Sequence, residues 1–132
     1  GRLVIIRLYR NGQIQFSQSV VLDASGHYSV TLPFSITGDY EVWAKSTHWL
    51  AQKLGPITIL ADRDNPVSHS LINGDADRDN EIGAGDLGRV ARAYLSAVGD
   101  PDYLEDADLD GDGEVGASDL GILATNYQLA GD

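Results

Sequence analysis

Asp75 to Tyr94 reads DADRDNEIGAGDLGRVARAY, and Asp108 to Tyr127 reads DLDGDGEVGASDLGILATNY. Eleven of the 20 aligned positions are identical at a constant offset of 33 residues, so one supersecondary unit is present twice. Each copy opens with acids at relative positions 1, 3 and 5, which are Asp75, Asp77, Asp79 and Asp108, Asp110, Asp112, and carries another at position 12, Asp86 or Asp119. Calcium takes about six to eight oxygen ligands, and a loop of about 12 residues wraps side chains 1, 3, 5 and 12 around one ion. The backbone carbonyls of Glu81 and Glu114 at position 7 supply a further oxygen. Position 9 is Gly83 or Gly116, so a water completes the shell there. Ile82 and Val115 at position 8 are expected to face a core. Position 6 needs a positive φ: Gly113 meets that demand directly, whereas Asn80 is the next most tolerant residue, which makes the first site the weaker of the two. The pattern predicts two Ca2+ ions, without which so many close carboxylates repel one another.

After each loop the apolar residues follow a helical period. Leu87, Val90, Ala91, Tyr94 and Leu95 form one stripe, and Leu120, Leu123, Ala124 and Tyr127 the other; two such faces can pack as an antiparallel pair. Asp100 and Pro101 read as the N-cap and first residue of a short helical turn running to Glu105. Two loop-helix units, each with its loop before its helix and Asp at position 12, resemble a type I dockerin over about residues 72–130. That resemblance implies a calcium-dependent plug that binds cohesin modules and so joins carbohydrate-active enzymes to a scaffold or cell surface. It places partner contacts at loop positions 10 and 11 and on the first helical turns. Here those positions are Ala84, Gly85, Ala117 and Ser118, with Arg89 and Arg92 on the first helix opposed by Ile122 and Thr125 on the second. Arg89 and Arg92 are as readily solvated side chains as contacts.

Outside the repeat the chain changes character. Residues 1–72 hold 5 acids and 6 bases, and residues 73–132 hold 15 acids and 3 bases, so the net charge of −11 over 132 residues belongs to the second half. The first half reads as β-structure: Leu3 to Arg10, an Asn11-Gly12 hairpin turn, Gln13 to Leu22, His27 to Leu32, Tyr40 to Lys45, Ile57 to Leu60, and an edge strand over Val67 to Ile72. The pattern Gly38 to Lys45 following the strand Tyr28 to Leu32 is weakly similar to the transthyretin-like and carboxypeptidase-regulatory-like sandwiches. The expected fold is α+β in two parts: an antiparallel, immunoglobulin- or transthyretin-like β-sandwich over residues 1–65 and a dockerin-like pair of calcium loop-helix units over 72–132.

Composition narrows the function. The acidic excess disfavours nucleic acid and anionic lipid, and no stretch nears the roughly 18 apolar residues of a membrane span. There is no cysteine, hence no disulfide or thiolate chemistry. With no methionine and Gly1 ahead of the apolar run Leu3 to Leu8, the chain reads as a processed or trimmed product. Neither a nucleophile elbow nor a phosphate-binding glycine loop is present, so a non-enzymatic protein is expected. The segment Ala61 to Asn65, ADRDN, copies Ala76 to Asn80, but in register it places Leu60 and Leu71 at ligand positions and is better read as a polar linker; Asp62 or Asp64 could still lend an oxygen to an ion. His27, His48 and His69 are too dispersed to suggest a metal cluster and are expected at the surface or half-buried. Trp43, His48 and Trp49 suit core packing better than a sugar platform.

Three functions remain open. One is a secreted, calcium-dependent attachment module with a cohesin-like partner, extracellular or attached to a cell surface. The second is a self-assembling extracellular subunit whose strand Gly1 to Arg10, or an open sandwich edge, pairs with copies of itself. The third is carbohydrate binding through Trp43 and Trp49.

Overall fold

A computed structural model describes residues 2–132; Gly1 of the expected first strand lies outside the described residues. The chain forms two compact units, one made of the residues before Thr47 together with Ala51–Leu71, the other of Thr47–Leu50 with Ile72–Asp132.

The first unit is built on four antiparallel strands, β1 (Leu3–Arg10), β2 (Gln13–Val21), β3 (Gly38–Ser46) and β4 (Gln52–Ile59), in the order β2-β1-β3-β4. Asn11 and Gly12 take φ angles of 53° and 75°, which a two-residue hairpin turn between twisted strands requires. The period-2 pattern sorts the side chains. Val4, Ile6 and Leu8 of β1 and Tyr40, Val42 and Ala44 of β3 are buried together with Val20, Ile36 and Ile59. On the other face, Arg7 lies opposite Trp43 in register and its guanidinium sits 4.6 Å from the ring centroid. Trp43 is therefore half-buried on the outer face and not in the core expected for it, because its place in the alternation of β3 is out of phase with Val42 and Ala44.

Three further expectations for this unit are corrected. β1 pairs with β2 on one side and β3 on the other, so its polar backbone is already committed and cannot receive a strand from a second copy; the edges are β2 and β4. β4 starts at Gln52 and runs through Gly55 and Pro56 instead of beginning after them. An edge strand tolerates proline, and the register shift opposite Tyr40 and Val42 accommodates Gly55, where a Cβ would stand 3.0 Å from the Tyr40 carbonyl oxygen. Finally, His27 to Leu32 and Val67 to Ile72 join no ladder of named strands. They run as extended segments whose Tyr28, Val30, Leu32, Val67 and Leu71 pack on the sheet's core. Alternation reports which side chains are buried; it does not report which backbone a segment bonds to.

The second unit contains helices α1 (Ala84–Ala93) and α2 (Ala117–Asn126), with a short 3-10 helix at Glu105–Ala107 between them. Asp100 accepts a hydrogen bond from the Ala97 amide at 2.8 Å, so it closes a turn, and the helical residues begin at Glu105 and not at Pro101. The core comprises Leu50, Ala76, Ile82, Val90, Ala93, Ala107, Leu109, Val115 and Leu123. Of the stripe expected on α1 only Val90 is buried, whereas Leu87, Ala91, Tyr94 and Leu95 are exposed. On α2, Leu123 is buried and Leu120 half-buried, with Ala124 and Tyr127 exposed. The reason lies at the third residue of each helix. Asp86 and Asp119 are turned inward to their own loops, and the positions sharing that face are four and seven residues on, Val90 and Ala93 or Leu123 and Asn126. Among the described residues no helix is long and apolar enough to cross a membrane.

Candidate metal centre

Both loops fold by bonding their own aspartates to their own backbone amides. At position 1, Asp75 Oδ2 accepts from Asn80 N at 3.0 Å, and Asp108 Oδ2 from Gly113 N at 2.9 Å. At position 3, Asp77 Oδ1 and Asp110 Oδ1 accept from Asp79 N and Asp112 N, each at 3.1 Å. At position 5, Asp79 Oδ1 and Asp112 Oδ1 accept from Glu81 N and Glu114 N, each at 2.9 Å. Position 12 closes the loop and starts the helix at once. Asp86 Oδ2 accepts from Gly83 N, and Asp119 Oδ2 from Gly116 N, both at 2.7 Å, the carboxylate half of a capping box. The glycines have no side chain to supply the other half.

Position 6 has the expected positive φ in both loops, 68° at Asn80 and 90° at Gly113. Position 4 has it too, 64° at Arg78 and 73° at Gly111, a requirement the spacing of acids did not reveal. Ile82 and Val115 are each 1% exposed, and both face the core as expected.

One carboxylate oxygen from each of Asp75, Asp77, Asp79 and Asp86 lies within 4.8 Å of the others; Asp108, Asp110 and Asp112 converge in the same way. Asp119 adjoins the second cluster without meeting that spacing to all three of its carboxylates, and its Oδ1 accepts from the amides of Leu109 at 2.7 Å and Asp110 at 3.2 Å. The Glu81 and Glu114 side chains are exposed, as suits residues whose expected ligand is the carbonyl. Two carboxylates at such a separation repel by roughly 3 kcal/mol at an effective dielectric of about 20, and a cluster of four contains several such pairs. Burial pushes the Asp86 carboxyl above its ordinary range. The Ser118 hydroxyl bonded to Asp110 holds that carboxyl below it. The donor set is hard oxygen throughout, with neither thiolate nor imidazole, and it fits a calcium-like cation.

Ala84, Gly85, Ala117 and Ser118 occupy the exposed first turns of the two helices, and Arg89 and Arg92 are exposed on α1. Ser118 is engaged with Asp110, whereas at the matching place a Cβ on Gly85 would collide with Asp77 Oδ2. Ile122 is half-buried, so the two helices present different faces.

Several supporting residues escaped the sequence reading. Asn73, two residues before the first loop, accepts a 2.7 Å hydrogen bond from His48 Nδ1, donates through Nδ2 to the Leu109 carbonyl at 2.6 Å, and offers its own carbonyl to Asn126 at 2.9 Å. His48 is 3% exposed, buried as its core-packing reading with Trp43 and Trp49 expects and not at the surface or half-buried, and Trp49 stacks on it with ring centroids 5.7 Å apart. Trp43 and Trp49 thus fall in different units. His27 is exposed and His69 half-buried. Tyr103 donates its hydroxyl to Asp108 Oδ2 at 2.8 Å; its own pKa is raised to about 12 by burial and then by that carboxylate. Tyr103→Phe removes this bond and is expected to cost about 1 kcal/mol, read as a lower thermal midpoint of the second unit; an unchanged midpoint would show the bond to be idle.

No curated protein matches the chain. Among solved structures, the chain is similar to that of a type II cohesin–X–dockerin complex from Acetivibrio cellulolyticus, a C-terminal interface mutant, with 20% identity over 96% of this chain and 81% of that one and a TM-score of 0.69. An N-terminal interface mutant of the complex from the same organism gives 19% identity, the same coverage and a TM-score of 0.65. At these identities the likeness is one of fold. The family model of the dockerin type I domain matches residues 73–126, the segment that holds both loops and both helices.

Proposed function

We propose that the chain is a secreted, non-enzymatic attachment module, extracellular or held at a cell surface, whose second unit binds two Ca2+ ions and docks a cohesin-like protein. The ligands of the first ion are the side chains of Asp75, Asp77, Asp79 and Asp86 with the carbonyl of Glu81. Those of the second are Asp108, Asp110, Asp112 and Asp119 with the carbonyl of Glu114. The observation that carries the reading is the repetition of the same aspartate-to-amide bonds at a 33-residue offset inside the segment similar to a dockerin.

The residues act by position. Each loop carboxylate set would hold the cation, and the position-12 aspartate, bonded to the residue before the helix, passes that geometry to the helix start. The exposed first turns at Ala84, Gly85, Ala117 and Ser118, with Arg89 and Arg92, then form the partner surface. Small residues let the partner approach the backbone, and the arginines complement an acidic patch. The extended segments packed over the four-stranded sheet read as the second layer of a sandwich.

The test is a pull-down with immobilised type I and type II cohesins, in calcium and in excess chelator. Capture by a cohesin in calcium alone is the expected result, weakened at least tenfold in the double variant Arg89→Ala, Arg92→Ala. Equal recovery in chelator, or none from either cohesin type, would refute the attachment role.

A further inference from the structure

The second unit has an internal two-fold repeat in its backbone pairing. Ile82 N donates to Leu129 O at 2.8 Å and Gln128 N to Ile82 O at 2.7 Å; 33 residues away, Val115 N donates to Ser96 O at 2.9 Å and Leu95 N to Val115 O at 2.7 Å. An outer pair repeats likewise, Gly131 N to Asn80 O at 2.8 Å and Val98 N to Gly113 O at 2.9 Å. The central residue of each loop is thus bonded to the segment that follows the other loop's helix.

The same offset matches Arg78 with Gly111 and Asn73 with Asp106. At these positions the symmetry breaks, and the break produces contacts. Arg78, at position 4 of the first loop, grips Asp106 with Nε to Oδ2 at 2.8 Å and Nη2 to Oδ1 at 3.0 Å, a bidentate fork. Asp106 stands two residues ahead of Asp108, the first acid of the second loop, and only 19% of its side chain is exposed. Gly111 can form no such contact with Asn73, which instead reaches the Leu109 carbonyl in the second loop.

We infer that the Arg78–Asp106 pair couples the two cation loops, so that ordering one loop prepares the other. The inference rests on the two-calcium reading above. Arg78 has a φ of 64°, one of the two left-handed turn positions of its loop, and its side chain is exposed. Closure of Asp75, Asp77 and Asp79 on a cation fixes that φ and with it the direction of the guanidinium. Its fork then holds the 3-10 helix from which Asp108 emerges. The reverse holds by linkage: an ordered second loop presents Asp106 and favours the conformation of Arg78. No metal ligand is shared; the pair adds a side-chain link to the backbone pairing and the Asn73–Leu109 bond that also join the two loops.

Two substitutions test the pair: Arg78→Gly installs the residue found at the symmetry-related position, where φ is likewise positive, and Asp106→Asn keeps the size of the side chain and removes its charge. The chelator-stripped full chain is titrated with calcium by calorimetry, while the amide signals of Asn80 and Gly113 report each loop by nuclear magnetic resonance. In the wild type the two signals should move together. In either variant, two ions still bind, the calcium-loaded circular dichroism is unchanged, and the signals separate as the second binding step weakens relative to the first by about five-fold. The double variant should lose no more than either single one. Two ions bound with unchanged coupling, or losses that add in the double variant, would overturn the inference and leave the calcium reading standing. Loss of helix in a loaded variant would make the pair a folding strut and overturn the coupling role. Binding of fewer than two ions by the wild type would overturn the calcium reading and this inference with it.

Discussion

In excess chelator the second unit should lose the circular dichroism of its two ten-residue helices, while the sheet signal of the first unit persists. A cation held at about a thousand times its dissociation constant stabilises the folded state by roughly 4 kcal/mol per site. Two such sites, as proposed, would therefore contribute roughly 8 kcal/mol, comparable with the 5–15 kcal/mol that keeps an ordinary domain folded. Removing them would leave the carboxylates of Asp75, Asp77, Asp79 and Asp86 facing one another without the positive charge that offsets their repulsion. Burial already lifts the Asp86 pKa, the mark of a carboxylate held charged at a cost. Thermal melts followed at the helical wavelength, with calcium and with chelator, measure the effect, and the midpoint should drop by more than about 20 °C. Unchanged helicity and melting temperature in chelator would exclude calcium as a folding partner.

The second large effect falls on a residue far from the repeat in sequence. Leu50 is 2% exposed and belongs to the core of the second unit with Ile82, Val90 and Leu123. Its amide donates to the Ile72 carbonyl at 2.7 Å. Leu50→Ala should destabilise the second unit by about 2–4 kcal/mol, the usual cost of emptying a buried leucine site. Native-state hydrogen exchange reads it at the right place: the Val90 and Leu123 amides lose protection by that amount. The Ile6 and Val42 amides, in the core of the first unit, keep theirs. Equal losses in both sets, or none at Val90 and Leu123, would show that Leu50 does not support this core. A fragment cut at residue 66 or 72 lacks Leu50 and should share the defect.

How much of the site was legible follows from what each interaction spans. The loops were readable because a 12-residue cation loop is local: its acids, its turn positions and the helix start all lie within one short stretch. The positive φ at Asn80 and Gly113 could be expected for the same reason. The buried face of α1 was misjudged, although its apolar stripe has the right period, because Asp86 must serve the loop and so sets the rotation of the helix. Asn73 carried no signal in the repeat. It is matched by Asp106, a different residue with a different partner.

For this protein, sequence alone determines the duplication, the acid positions of both loops, the helices that follow them and the confinement of charge to the second half, since each depends on neighbours a few residues apart. Tertiary structure alone decided that β1 is an inner strand, that Thr47–Leu50 belongs with the acidic loops, and that Arg78 reaches across 28 residues to Asp106. Those outcomes are settled by which distant surfaces bury and bond together, and a periodic pattern shows only that a face must be buried, never against what.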